Sequence, residues 1–155
     1  MKIVSFPEEA KHNPESVVDG QFSMPFCAAV VLREGTMLWD HYATHLKDPE
    51  TLALTKKVTC VNDPEVEALF PANMAGKATV KTPRGTFSVL IDMPKGEPAN
   101  FMTVDEFRGK FTGLAAPYLG DDGVDRFADL ILGLEAQNSV SSVLAAGKPQ
   151  MAAAE

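Results

Sequence analysis

The segment Asp19–Gly35, DGQFSMPFCAAVVLREG, decides how the first part of this chain folds. A polar turn leads into an almost wholly apolar run, and Ser23 stands at the junction, where its hydroxyl can cap a helix N-terminus. Pro25 suits the first turn of a helix, and Gly35 suits the C-terminal stop. The pattern predicts a helix over residues 24–33. Because this helix is apolar nearly all round, we expect it to be buried.

Further helices and strands are indicated outward from this segment. Asp-Pro-Glu occurs at residues 48–50 and 63–65, and each copy offers a carboxylate cap followed by a proline suited to the first helical position. Residues 57–61 and residues 2–6 have the composition of strands. The sequence Thr-Val-Asp-Glu at residues 103–106 is a capping box that opens a helical last third.

A hairpin is the clearest β feature. The β-prone runs Lys77–Lys81 and Thr86–Ile91 flank the sequence TPRG at residues 82–85, which fits a type I turn. We therefore predict an α+β fold, in which helices cover one face of a small antiparallel sheet and the apolar helix is buried. One domain is expected over residues 1–144, followed by a flexible tail over residues 145–155 that is rich in alanine.

The composition of the chain excludes several classes of partner and fold. The chain has 155 residues, 45% of them hydrophobic, and a net charge of −7. An acidic balance argues against nucleic acid or an anionic membrane surface as a partner, and no apolar run approaches the ~20 residues that span a bilayer. Cys27 and Cys60 are the two cysteines, which is too few for a disulfide framework. A cytoplasmic location is expected.

Four motifs carry a resemblance to a known family. They are the segment QFSMPF at residues 21–26 with the alanine pair and glycine that follow, Asp-Pro at residues 48–49, the loop PKGEPAN at residues 94–100, and Lys-Phe at residues 110–111. Through them the chain resembles the C-terminal domain of the MmgE/PrpD family, from the first strand to about residue 144. That family includes 2-methylcitrate dehydratase, cis-aconitate decarboxylase and an iminodisuccinate epimerase.

The resemblance implies that two domains have different roles in the enzyme. Members of the family have a larger all-helical domain, which supplies most of the active site, and a smaller α+β domain, which closes the cleft. The chain is thus expected to be an excised domain, a truncated product or one subunit of a split lyase or isomerase. The implied partners are a helical N-terminal domain or subunit, a small di- or tricarboxylic acid and further copies of the chain. No cofactor is implied, and the isolated chain is expected to be inactive.

The resemblance also names candidate site residues. It places Gln21 and Ser23 near substrate in the domain cleft, and it lets Lys95 and Gly96 offer a cation and backbone amides to a carboxylate. A tyrosine that reaches the active site in cis-aconitate decarboxylase falls at Phe26, which has no hydroxyl and leaves only an apolar wall. The alternatives are a helix cap at Ser23 and plain surface turns elsewhere. On that view the chain is a non-catalytic interaction module that kept the fold and lost the chemistry.

Other candidates favour structural roles. His41 and His45 have the spacing of two metal ligands on a helix, but no third ligand follows at a diagnostic spacing. We therefore predict a structural or solvated pair and no metal site. Cys27 has no basic neighbour that would favour the thiolate, and both Cys27 and Cys60 are predicted to lie in the core.

Overall fold

A computed structural model describes residues 2–149 of the chain. These residues divide into two compact units, and the division falls between Asn100 and Phe101. The predicted single domain over residues 1–144 stays a prediction. Residues 150–155 of the expected tail lie outside the described residues.

The first unit contains seven short helices followed by a hairpin within the described residues. The helices are α1 (Lys2–Ser5), α2 (Glu8–His12), α3 (Val17–Gln21), α4 (Met24–Glu34), α5 (His41–His45), α6 (Pro49–Thr55) and α7 (Pro64–Glu67). The hairpin consists of β1 (Gly76–Thr82) and β2 (Gly85–Ile91), and a short 3-10 turn follows at Pro98–Asn100.

Helix α4 is the helix predicted from the opening segment. The Ser23 hydroxyl accepts a hydrogen bond from the amide of Phe26 at 3.1 Å, as an N-cap should. Gly35 ends the helix in the left-handed conformation, with φ of 76°, which favours glycine. The predicted caps at Asp48 and Asp63 are also confirmed, because their side chains accept hydrogen bonds from the first turns of α6 and α7.

The core of the first unit forms around α4. The buried side chains of Phe26, Val30 and Tyr42 pack together, and the rings of Phe26 and Tyr42 stack with their centroids 6.0 Å apart. Partly buried apolar residues close this cluster: Val17, Met37 and Leu46. The prediction of a buried helix is therefore confirmed for one face of α4, whereas Val31 and Leu32 on the other side are exposed.

The two additional strands were predicted wrongly. Residues 2–5 form helix α1, and residues 57–61 have no strand pairing among the described residues. The segment between α1 and α4 contains the short helices α2 and α3. Glu8 and Glu9 in the first turn favour α2 through the helix dipole, and Ser16 opens α3 with a capping box.

The hairpin and the α+β class are confirmed. Strands β1 and β2 pair antiparallel in a register that places Thr82 opposite Gly85 across the turn. Every residue of the two strands is exposed except Thr82, which is half-buried. The two strands are thus accessible along their length.

The second unit is helical. It contains α8 (Val104–Leu119), α9 (Asp121–Leu132) and α10 (Val140–Ala146), with a 3-10 turn at Leu134–Ala136. The predicted capping box is present at Thr103, and Gly120 ends α8. The buried side chains of this unit are Leu119, Val124, Ala128 and Val143.

Candidate functional site

The sequence-predicted site residues lie in two segments of the first unit. Gln21, Ser23 and Phe26 surround the start of α4, and Lys95 and Gly96 belong to the loop that follows β2. The polar atoms of both segments form hydrogen bonds within the fold, but with different kinds of partner.

Ser23 uses its hydroxyl inside the fold. Besides accepting from the amide of Phe26, the hydroxyl donates a hydrogen bond to the main-chain carbonyl of Lys11, and the residue is buried. Both functions of the hydroxyl are therefore occupied by protein atoms. The role of helix cap is confirmed, and a contact of Ser23 with substrate stays a prediction.

Phe26 and Gln21 have opposite environments. Phe26 is fully buried at 0% exposure against Tyr42, so it presents no atom to a ligand in this structure. Its expected place on an apolar cleft wall stays a prediction. Gln21 is the last residue of α3 and is exposed, so its amide lies where a ligand could reach it.

The Lys95–Gly96 loop is closed by its own hydrogen bonds. The amide of Gly96 donates to the carbonyl of Asn100 at 2.9 Å, and the Asn100 side chain donates to the carbonyl of Met93 at 2.9 Å. Gly96 has φ of 101°, a conformation that suits glycine and lets the loop turn back. The amide of Gly96 therefore already has an acceptor within the loop, and the side chain of Lys95 is exposed.

A cavity of about 350 Å³ borders the same motif through Pro25, and sequence reasoning missed it. It is lined by segments that are far apart in the chain, so no local pattern could reveal it. The lining residues are Lys2, Ser5, Phe6, Glu8, His12, Pro25, Val58, Thr59 and Cys60.

The polar groups of this cavity are not arranged as an acid–base pair. The Nε2 atom of His12 lies 3.1 Å from the carbonyl oxygen of Val58. The main-chain carbonyl of His12 accepts a hydrogen bond from the hydroxyl of Thr55 at 2.7 Å. Burial, and to a lesser extent the charge of Glu8, raises the pKa of the Cys60 thiol, so the thiol is not activated as a nucleophile. We therefore treat the cavity as a space beside the motif rather than as a catalytic centre.

A polar network holds the opposite end of α4. The guanidinium of Arg33 forms an ion pair with Asp48, contacts Glu50 at 3.0 Å and donates to the hydroxyl of Thr51 at 2.7 Å. Hydrogen bonds from Thr51 and then from Arg33 lower the pKa of Asp48 to about 2. The same carboxylate caps α6, so this network joins α4 to the start of α6.

His45 belongs to this network and is structural. Its ring is buried, with Nδ1 at 2.8 Å from the hydroxyl of Thr51 and Nε2 at 3.2 Å from a carboxylate oxygen of Glu34. The rings of His41 and His45 are 5.7 Å apart, edge to face. Within the part of the chain that the structure describes, no group of three His, Cys, Asp or Glu side chains could hold a metal ion. Over the same residues, every helix is too short or too polar to span a bilayer.

Comparison with known proteins places these features in a family. The sequence pattern of the MmgE/PrpD C-terminal domain matches residues 1–136 of the chain. A cis-aconitate decarboxylase-like protein, oryM, of Aspergillus oryzae (strain ATCC 42149 / RIB 40) is 31% identical over 143 residues, which cover 90% of this chain. The chain spans only 28% of the length of that curated relative.

Proposed function

Because the chain belongs to the MmgE/PrpD family, where it matches the C-terminal domain, we propose that it closes the active-site cleft of a lyase or isomerase that acts on a small di- or tricarboxylic acid. The helical remainder of the family architecture supplies the catalytic acids and bases. Two observations carry the proposal. The family pattern matches residues 1–136, and the chain corresponds to only 28% of the length of the oryM protein.

The use of polar groups in the first unit supports this division. Proton removal next to a carboxylate needs a base and an acid of tuned pKa, and it needs cations that hold the carboxylates. The hydroxyl of Ser23 and the amide of Gly96 are engaged within the fold, and Phe26 carries no titratable group. The net charge of −7 also favours an anion site whose cations come mostly from elsewhere.

Gln21 and Lys95 are the residues that we propose to contact substrate. Both are exposed, and each carries a donor that suits a carboxylate oxygen. We expect Gln21→Ala and Lys95→Ala to raise KM in the assembled enzyme and to change kcat less. Lys57→Ala, which removes an exposed lysine from another segment, is the matched control and should leave KM unchanged.

The direct test is reconstitution with a helical partner. The chain is co-purified with an MmgE/PrpD helical domain, or fused to the remainder of the oryM protein in place of its own C-terminal part, and turnover is measured on 2-methylcitrate, cis-aconitate and related acids. We expect turnover from the pair and none from either part alone. Turnover by the 155-residue chain alone would refute the proposed division.

A second candidate is a non-catalytic interaction or oligomerisation module. The feature that favours it is Phe26, which is buried in the core and which the resemblance places where cis-aconitate decarboxylase has a tyrosine. A stable pair with the helical domain that remains inactive on every acid of the panel would support this alternative. It would count against the proposed enzyme role.

A further inference from the structure

The hairpin presents one apolar and one polar face. Residues that are opposite each other in an antiparallel pair lie on the same face, so the register joins Val80 with Phe87 and Ala78 with Val89. Phe87 is 57% exposed and Val89 is 53% exposed. Ile91 continues the same face with 50% of its surface exposed. A contiguous apolar face of this kind is typical of a contact surface.

The two edges of the hairpin differ in charge. Strand β1 carries Lys77 and Lys81, whereas β2 (GTFSVLI) contains no charged residue and no proline. Lysine and proline are the residues by which natural edge strands resist pairing with another chain. The edge of β1 is therefore protected against pairing, and the edge of β2 is not.

We propose that two copies of this chain pair through their β2 strands, antiparallel and about a twofold axis at Ser88. Ser88 is the middle residue of β2, so this register uses the whole strand. It places Phe87 of one copy opposite Val89 of the other, and the two apolar faces become continuous across a four-stranded sheet. The lysines of β1 then lie at both outer edges, where they stop further growth, so the product is a closed dimer.

Charge complementarity favours a second copy over other occupants. The same register sets Arg84, at the turn, opposite Asp92 of the second copy, because both lie four positions from Ser88. Symmetry repeats this pair at the other end of the joined strands. Both residues are exposed, and neither side chain forms an ion pair within residues 2–149. The inference concerns assembly and does not depend on the proposed function.

Disulfide trapping tests the register in the full chain. Opposed residues of an antiparallel pair have Cα atoms about 4.5–5.5 Å apart, within the range that a disulfide spans. In a background in which Cys27 and Cys60 are replaced by serine, we expect Ser88→Cys to form a covalent dimer under mild oxidation. Thr79→Cys is the matched control, because it is the exposed partner of Ser88 on β1 and lies away from the axis. Equal or slower cross-linking of Ser88→Cys would overturn the proposal.

Charge reversal tests the ends of the same interface. We expect Arg84→Asp to weaken dimerisation by about tenfold, because two attractive pairs become repulsive. The double variant with Asp92→Arg should restore it. Sedimentation equilibrium measures the dissociation constants. The proposal would be overturned by a monomer at all concentrations or by an oligomer that is insensitive to both changes. It would also be overturned if hydrogen exchange showed the outward β2 amides to be protected in the monomer, because another segment would then cover that edge.

Discussion

Ser23→Ala tests whether the motif at the start of α4 serves the fold before it serves a ligand. The substitution removes the N-cap acceptor of the Phe26 amide, which costs about 1 kcal/mol. It also leaves the carbonyl of Lys11 without its donor, which costs about 1 kcal/mol more. We expect the free energy of unfolding to fall by about 2 kcal/mol, because the two hydrogen bonds end on different main-chain groups. The unfolding midpoint should fall by about 4–8 °C.

The assay is thermal and urea unfolding followed by circular dichroism, with Ser16→Ala as the matched control. Ser16 caps α3 in the same unit, but it is exposed, and within residues 2–149 its hydroxyl bonds only to Asp19. We expect this control to lose about 1 kcal/mol or less. A Ser23→Ala protein as stable as wild type would refute the structural role. In that case substrate contact would be the better explanation for a serine at position 23.

Three further changes test the packing and electrostatics of the chain. Gly20→Ala should destabilise by about 1–3 kcal/mol in urea unfolding, because its Cβ would lie 3.1 Å from ring atoms of Tyr42; a stability equal to wild type would contradict this packing. Gly113→Ala in α8 should stabilise by about 0.5–1 kcal/mol, because its Cβ meets no atom within 4 Å; a loss of stability would contradict it. The pKa of Asp48, lowered to about 2 by Thr51, gives stability that is present above about pH 4 and lost as pH falls toward 2. Asp48→Asn should flatten that part of the pH profile, and an unchanged slope would argue against the shift.

Helix starts could be predicted because their chemistry is local. Ser23, Asp48, Asp63 and Thr103 each place an acceptor beside the first free amides of a helix, and each forms the expected cap. The hairpin was predictable for a similar reason, since its turn sequence lies between two β-prone runs. In these places the residues that determine the structure are neighbours in the chain.

Strands and cavities could not be predicted in the same way. Residues 2–5 and 57–61 have strand-like composition, but strand propensity reflects packing against a pleated neighbour, and the described hairpin pairs only with itself. The cavity beside Pro25 has the same difficulty, because its walls come from segments far apart in the sequence. His12 carries no motif, and only the fold brings its ring to the carbonyl of Val58.

The candidate site raises the question of why a family motif would be retained if its polar atoms are used internally. The segment around Ser23 fixes the position of α4, and α4 carries the core of the first unit through Phe26. The surface that this core supports includes Gln21, which is exposed at the adjoining end of α3. A motif can therefore shape a cleft by holding its wall rigid, without touching the substrate. This explanation requires that stability and KM respond to different residues, which Ser23→Ala and Gln21→Ala measure separately.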